Sequence, residues 1–251
     1  MDIDYTDFSK SLPEFGPTAD RVATAANKSL LALGFILLGI FFLIEMMSWH
    51  QHMKSRGNSL TKKMWLEIAL KYLFTFVLII YSAELLDGIN WLLNTGVKIV
   101  LRGVQMINPS DFKYEYGTFT IKGMVKGIIN TVGQGTEIVA RVVVVIVNFL
   151  RYLDQYVLKA MAPVLVACFM SDALRSISLN FFKRFASYGL IALLMVLVSI
   201  VYPALITDDL LKLAVGEASG VQLAILSIAK GVIYIISIVG TGRKAQQLLG
   251  V

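Results

Sequence analysis

Six polar residues, Glu137, Arg141, Asn148, Arg151, Gln155 and Lys159, recur at helical spacing through an otherwise apolar stretch. At about 100° per residue they fall within an arc of roughly 80° on one helix face, while residues 142–147 and 149–150 cover the remainder. Ionisable side chains at membrane depth are costly unless they are hydrated or paired. Such an edge should face a water-filled path, a neighbouring subunit or paired acids elsewhere in the bundle, and the sequence leaves open both pore lining and intersubunit packing with Glu84 or Asp87 as counter-charges.

Other chemistry is sparse. His50-Gln51-His52, with Glu45 five residues earlier, invites a metal reading but lacks the third ligand and supporting partners that a site requires. The histidines read as solvated groups at the membrane edge. Cys168 is the single cysteine, and no histidine neighbours it in sequence, so a nucleophilic triad has no base to draw on in the membrane interior. There is no Walker-type phosphate loop. The expectation is a protein that is not an enzyme, with no cofactor and no metal.

The elements that must position these residues follow from composition. Of 251 residues 57% are hydrophobic and 16% charged, against an apolar share of about 45–50% and a charged share of about 25% in soluble domains. The expected class is an all-α polytopic membrane protein. The net charge of +6 belongs with cytoplasmic loops and anionic lipid rather than with nucleic-acid reading. Residues 1–28 are polar and acidic, where a secretory signal would be basic and then apolar. They read as an external arm, with 18–28 leading as a helix into the first span at 29–49. Residues 50–64 hold Lys54, Arg56, Lys62 and Lys63 with no acid, which places them inside.

A second span is expected from Trp65 to Trp91, about 39 Å apart on one straight helix. Residues 95–136 then read as an amphipathic outer loop. Residues 137–170 are long enough for one tilted span or a tight pair, and charge placement favours one crossing. A leader at 160–170, a basic turn at 171–185 and a charge-free run at 186–206, about 31 Å long as a helix, follow. The last span is expected over 221–239, before a basic tail. The count is five crossings, N-terminus outside and C-terminus cytoplasmic, with residues 29–251 as a single transmembrane domain.

With the spans placed, the block Ala162-Pro163-Val164-Leu165, then Arg175, then Phe181-Phe182-Lys183-Arg184-Phe185 and an uninterrupted span resembles the central block of the TrbL/VirB-six family. Those proteins are polytopic inner-membrane subunits of type IV secretion and conjugation machines. In layout the resemblance covers most of the chain, and in residues it is confined to about 162–206, where Pro163, Arg175, Lys183 and Arg184 carry it. It implies a translocation channel or scaffold in the bacterial cytoplasmic membrane that supports DNA transfer or pilus assembly. The implied partners are copies of itself in a five- or sixfold ring, other secretion subunits including ATPases, membrane lipids, and a DNA–protein substrate contacted without sequence specificity. A small-solute transporter or channel is the alternative, although matching halves with broken helices are absent from the sequence.

Overall fold

The computed structural model describes residues 5–55, 62–105, 116, 125–207 and 220–251, which are almost wholly helical, with no strand among them. A 3-10 turn, Tyr5–Ser9, is followed by α1 (Leu12–Phe15), α2 (Pro17–Ser55), α3 (Lys62–Ile80), α4 (Ser82–Gln105), α5 (Val125–Ala167), α6 (Arg175–Thr207) and α7 (Gly220–Leu249). Among the described residues three helical stretches are long and apolar enough to cross a membrane: Pro17–Lys54, Arg175–Tyr202 and Ala224–Leu249. The bent pair Trp65–Ile80 and Ser82–Gly103 is a fourth if it counts as one span. Leu33, Ile36, Ile40, Leu43, Ile44 and Met47 of α2 are exposed, the pattern of a helix whose outer face meets lipid.

The N-terminal arm is more ordered than the sequence suggested. The Ser11 backbone N–H donates to Glu14 Oε2 at 2.8 Å in a capping box that starts α1. Pro17 then occupies the first position of α2, where its missing N–H costs nothing and its fixed φ suits a helix. From there α2 runs unbroken, so residues 18–28 are helical as expected, and so is His50–Ser55, which had read as the start of a loop.

The straight helix expected from Trp65 to Trp91 is not formed. The axis bends by 72° at Tyr81, between α3 and α4. The bend falls where an all-round apolar helix gives way to a two-faced one. In α4 Asn90, Asn94 and Val97 are buried while Trp91, Leu92 and Ile99 are exposed. Helix α4 continues through Gln105, so residues 95–105 belong to α4 and 125–136 to α5. The remaining residues of the amphipathic outer loop expected over 95–136, apart from Tyr116, lie outside the described ones.

A second correction concerns the basic turn at 171–185. Only 171–174 is non-helical, and Arg175, Lys183 and Arg184 lie on the opening turns of α6. Ser178, Phe181 and Phe185 are buried there at helical spacing, which holds the segment in a helix. The Ser178 hydroxyl donates to the Leu165 carbonyl at 2.6 Å, satisfying an acceptor in the last turn of α5. The expected polar tail is helical too: α7 continues past residue 239 to Leu249 and ends at Gly250, whose φ is 64°.

Residues 125–167 form one continuous helix, not a tight pair. Pro163 lies inside it. Proline has no N–H to give the carbonyl four residues back, and that carbonyl, of Lys159, instead accepts from Asn27 Nδ2 at 2.7 Å. The same amide reaches Ser82 Oγ at 3.2 Å. Beside it α2 and α5 approach so closely that a Cβ on Gly34 would sit 2.9 Å from the Pro163 oxygen.

The chain divides into two compact units: Met1–Ser9, Leu93–Arg151 and Gly189–Gln247 form one, and Lys10–Leu92, Tyr152–Tyr188 and Leu248–Val251 the other. The second has a core of Leu12, Leu38, Ile79, Leu86, Tyr152 and Phe185 among others, with Phe35 and Phe76 rings 5.1 Å apart. In the first, the Ser199 and Tyr234 hydroxyls lie 3.0 Å apart, and the Tyr202 hydroxyl donates to the Lys230 carbonyl.

Asn27→Leu should lower stability by about 1–3 kcal/mol, because the Lys159 carbonyl loses its donor. Adding Pro163→Ala supplies a backbone N–H and should recover at least half of that loss. Unfolding of each variant by sodium dodecyl sulfate in mixed micelles measures both, and absence of recovery would show that Asn27 does not act through that carbonyl.

Candidate functional site

The polar stripe lies on α5, and most of it is turned into the chain. Asn148, Arg151, Gln155 and Lys159 are buried, while Glu137 and Arg141 are half-buried. Lys159 Nζ is the most fully engaged, 2.8 Å from Asp20 Oδ1 and 2.8 Å from both carboxylate oxygens of Asp87. Side-chain exposure rises from 2% for Lys159 to 15% for Asp20 and 40% for Asp87, so the ammonium is dry and its acids are progressively wetter. The counter-charge expected of Asp87 across subunits is thus made within one chain and shared with Asp20. Glu84 is exposed.

Around this node Gln155 Nε2 donates to Asn90 Oδ1 at 3.2 Å. The Tyr152 and Tyr156 hydroxyls donate to the backbone carbonyls of Lys10 at 2.8 Å and Leu12 at 2.7 Å. The Tyr152 ring stacks on Phe15 at 3.7 Å between centroids. Gly16 leaves room for the clasp, since a Cβ there would lie 2.9 Å from the Tyr156 oxygen. In the other unit, Arg151 reaches the Phe8 carbonyl at 3.5 Å, and Arg141 pairs with Glu137 one helical turn away. Glu137 also accepts the Tyr116 backbone N–H at 3.0 Å. Asn148 Oδ1 and Gln155 Oε1 are buried without a hydrogen-bond partner among the described residues, so each is a place where a bound water would be satisfied.

A second node was not anticipated. Glu45, 6% exposed, accepts from Trp49 Nε1 at 3.0 Å, Lys71 Nζ at 3.3 Å and the Asp172 backbone N–H at 3.2 Å. Lys71 also pairs with Asp172 Oδ1 at 2.5 Å. The available signal was a lone carboxylate inside an apolar helix, which must find partners. His50 and His52 are exposed, and Glu45 is committed to Trp49, Lys71 and Asp172. Cys168 Sγ lies 3.9 Å from the Val164 carbonyl. Among the residues carrying the family-like block, Pro163 sits at the Gly34 contact, Arg175 stacks over the Phe169 ring at 4.7 Å, and Lys183 and Arg184 are exposed.

Asp20 and Glu45 stand on the same helix, 25 residues and about 38 Å apart along its axis. The hydrocarbon core of a bilayer is about 30 Å thick and about 40–45 Å with its headgroup layers. The two nodes thus sit at the spacing of two membrane interfaces, one holding α2, α4 and α5 together and the other holding α2, α3 and the 171–174 turn. No family model, curated protein or solved structure matches this chain.

Two outcomes follow. Asp20→Asn and Asp87→Asn should each be tolerated, whereas the double variant strands a buried ammonium and should lose roughly 3–5 kcal/mol, more than the sum of the singles. Adding Lys159→Met should restore most of it. Detergent-titrated unfolding of the single, double and triple variants tests this, and simple additivity would contradict the shared-ammonium arrangement.

The hydrogen bond from Lys71, aided by Arg175, holds the Asp172 carboxyl below the usual carboxylate range against the opposing effect of partial burial. A carboxylate with a depressed folded-state pKa stabilises fully above its unfolded value, about 3.9, and progressively less as pH falls below it. The stability gap between the native protein and Asp172→Asn should therefore be flat from about pH 5 to 8 and shrink below about pH 4. Unfolding measured across that range checks the sign.

Proposed function

We propose that this protein is an integral-membrane scaffold or channel subunit of a type IV secretion or conjugative DNA-transfer machine, resident in the bacterial cytoplasmic membrane. The observation that carries this reading is the placement of the residues behind the family resemblance. Pro163 lies against Gly34 at a tight contact of α2 and α5, and Arg175 opens the long apolar α6 against the aromatic Phe169. These are framework positions, as expected of a subunit whose work is assembly. The inward-turned stripe supports the same reading, because Lys159, with both its acids in its own chain, ties helices together. A solute pathway would instead present it to a solvated cavity.

In this reading the chain crosses the membrane five times, with residues 1–28 outside and the C-terminus in the cytoplasm. The polar face of α5 is covered by α2 and α4 at the level of Lys159. Copies associate in a five- or sixfold ring, since oligomers of one chain close most simply by cyclic symmetry. Other secretion subunits, including ATPases, supply the energy, and DNA–protein substrate passes without sequence-specific contact, so any phosphate contact is salt-sensitive.

Single cysteines at positions 58 and 176 in a Cys168→Ser background should resist an impermeant maleimide in intact cells and label after permeabilisation. Deleting the gene from a strain that conjugates through it should abolish DNA transfer, and the native gene should restore it. Labelling of either site in intact cells would overturn the topology, and undiminished transfer would overturn the proposed role.

A further inference from the structure

Beside the Glu45 node a cavity of about 390 Å³ opens between α2, α3 and the beginning of α6. Its polar wall holds Glu67, Lys71, Asp172 and Arg175 along with Glu45 itself. Lys71 is taken up by Glu45 and Asp172. Arg175 is engaged differently: its guanidinium carbon lies over the Phe169 ring, 4.7 Å from the centroid, and a cation held on a ring face keeps N–H donors for a planar or tetrahedral anion. Glu67 is exposed on α3, one turn before Lys71. The cavity thus offers an arginine edge suited to phosphate and a carboxylate suited to an ammonium.

The remaining wall is apolar. Leu70 and Phe74 line the cavity and belong to an exposed stripe on α3 with Leu66, Leu73 and Val77. That stripe faces acyl chains when α3 is in a bilayer. Trp49, also lining the cavity, marks the headgroup level at which aromatic side chains collect.

We propose that this cavity binds a phospholipid with a phosphoethanolamine headgroup, its phosphate on Arg175, its primary ammonium on Glu67 and an acyl chain along Leu70 and Phe74. Charge balance selects the zwitterion: among the described residues lining the cavity the acids are Glu45, Glu67 and Asp172 and the bases Lys71 and Arg175, so a headgroup with net negative charge meets an acidic excess. The amine must be primary, because a quaternary ammonium cannot donate to Glu67 and needs an open aromatic cage. Phe169 is unavailable for one, being covered by Arg175 and packed on Phe74 at 5.6 Å. This site depends on membrane residence alone and not on the machine the protein serves.

Native mass spectrometry of the full-length protein, titrated in detergent with dioleoyl phosphatidylethanolamine, phosphatidylcholine or phosphatidylglycerol, reads the selectivity. Phosphatidylethanolamine should bind at least about fivefold more tightly than either of the others. Glu67→Gln should erase its advantage over phosphatidylcholine, and Arg175→Gln should weaken both. Should the Arg175→Gln chain fail to extract as a monodisperse species, Arg175→Lys, which keeps charge without the planar fork, gives the same readout. Soluble O-phosphoethanolamine should displace the lipid only at about 100-fold higher concentration, since it lacks the chains. Equal binding of the three lipids, a preference for phosphatidylglycerol, an unchanged preference in Glu67→Gln, or displacement by the soluble headgroup at the lipid's own concentration would each overturn the assignment.

Discussion

Lys159 is the residue on which most of the second unit depends, because its side chain and its backbone are both committed. The ammonium joins Asp20 of α2 to Asp87 of α4, and the carbonyl, freed by Pro163, takes the Asn27 amide. Remove the proline and the carbonyl no longer needs α2; remove the acids and a dry charge is stranded. Apolar packing against lipid cannot provide this, since hydrocarbon on the outside is as good a partner for leucine as hydrocarbon on the inside. Polar pairing therefore decides which helices are neighbours, and burial of Leu38, Ile79 and Leu86 follows from it.

The Glu45 node complements this from the other end of the apolar stretch. A carboxylate that receives an indole N–H, an ammonium and a backbone N–H has its acceptor sites filled without exposing charge. Pinned near both ends, α2 has a fixed height and rotation relative to α3 and the last turns of α5. Its outer face of Ile36, Ile40 and Leu43 is then free to be featureless.

Long apolar segments were legible in the sequence, and so was the stripe, because periodicity is a local property. Helix 29–49 and the common face of Glu137 to Lys159 follow from spacing alone, whereas the single crossing expected over 137–170 needed the charge-placement argument as well. The destination of the stripe was not legible: Asp20 lies 139 residues from Lys159 and Asn27 132, and no local pattern selects one distant acid over another. The bend at Tyr81 was hidden for a different reason. Neither glycine nor proline marks it, and only the change from apolar to two-faced sequence does. The 175–185 segment was misread because its charges drew a topological explanation, while Ser178, Phe181 and Phe185 recorded a helix.

The Asn27 and Glu45 contacts also bear on the order in which the chain is made. Asn27 precedes by 132 residues the carbonyl it will satisfy, so the remedy for the Pro163 defect is already in place when that segment leaves the ribosome. Asp20 and Asp87 likewise await Lys159. Glu45 follows the same order: its first partner on another helix, Lys71, is 26 residues downstream and Asp172 is 127 downstream. Helix α2 is thus synthesised before every partner on another helix that its Asp20, Asn27 and Glu45 side chains take in the finished fold.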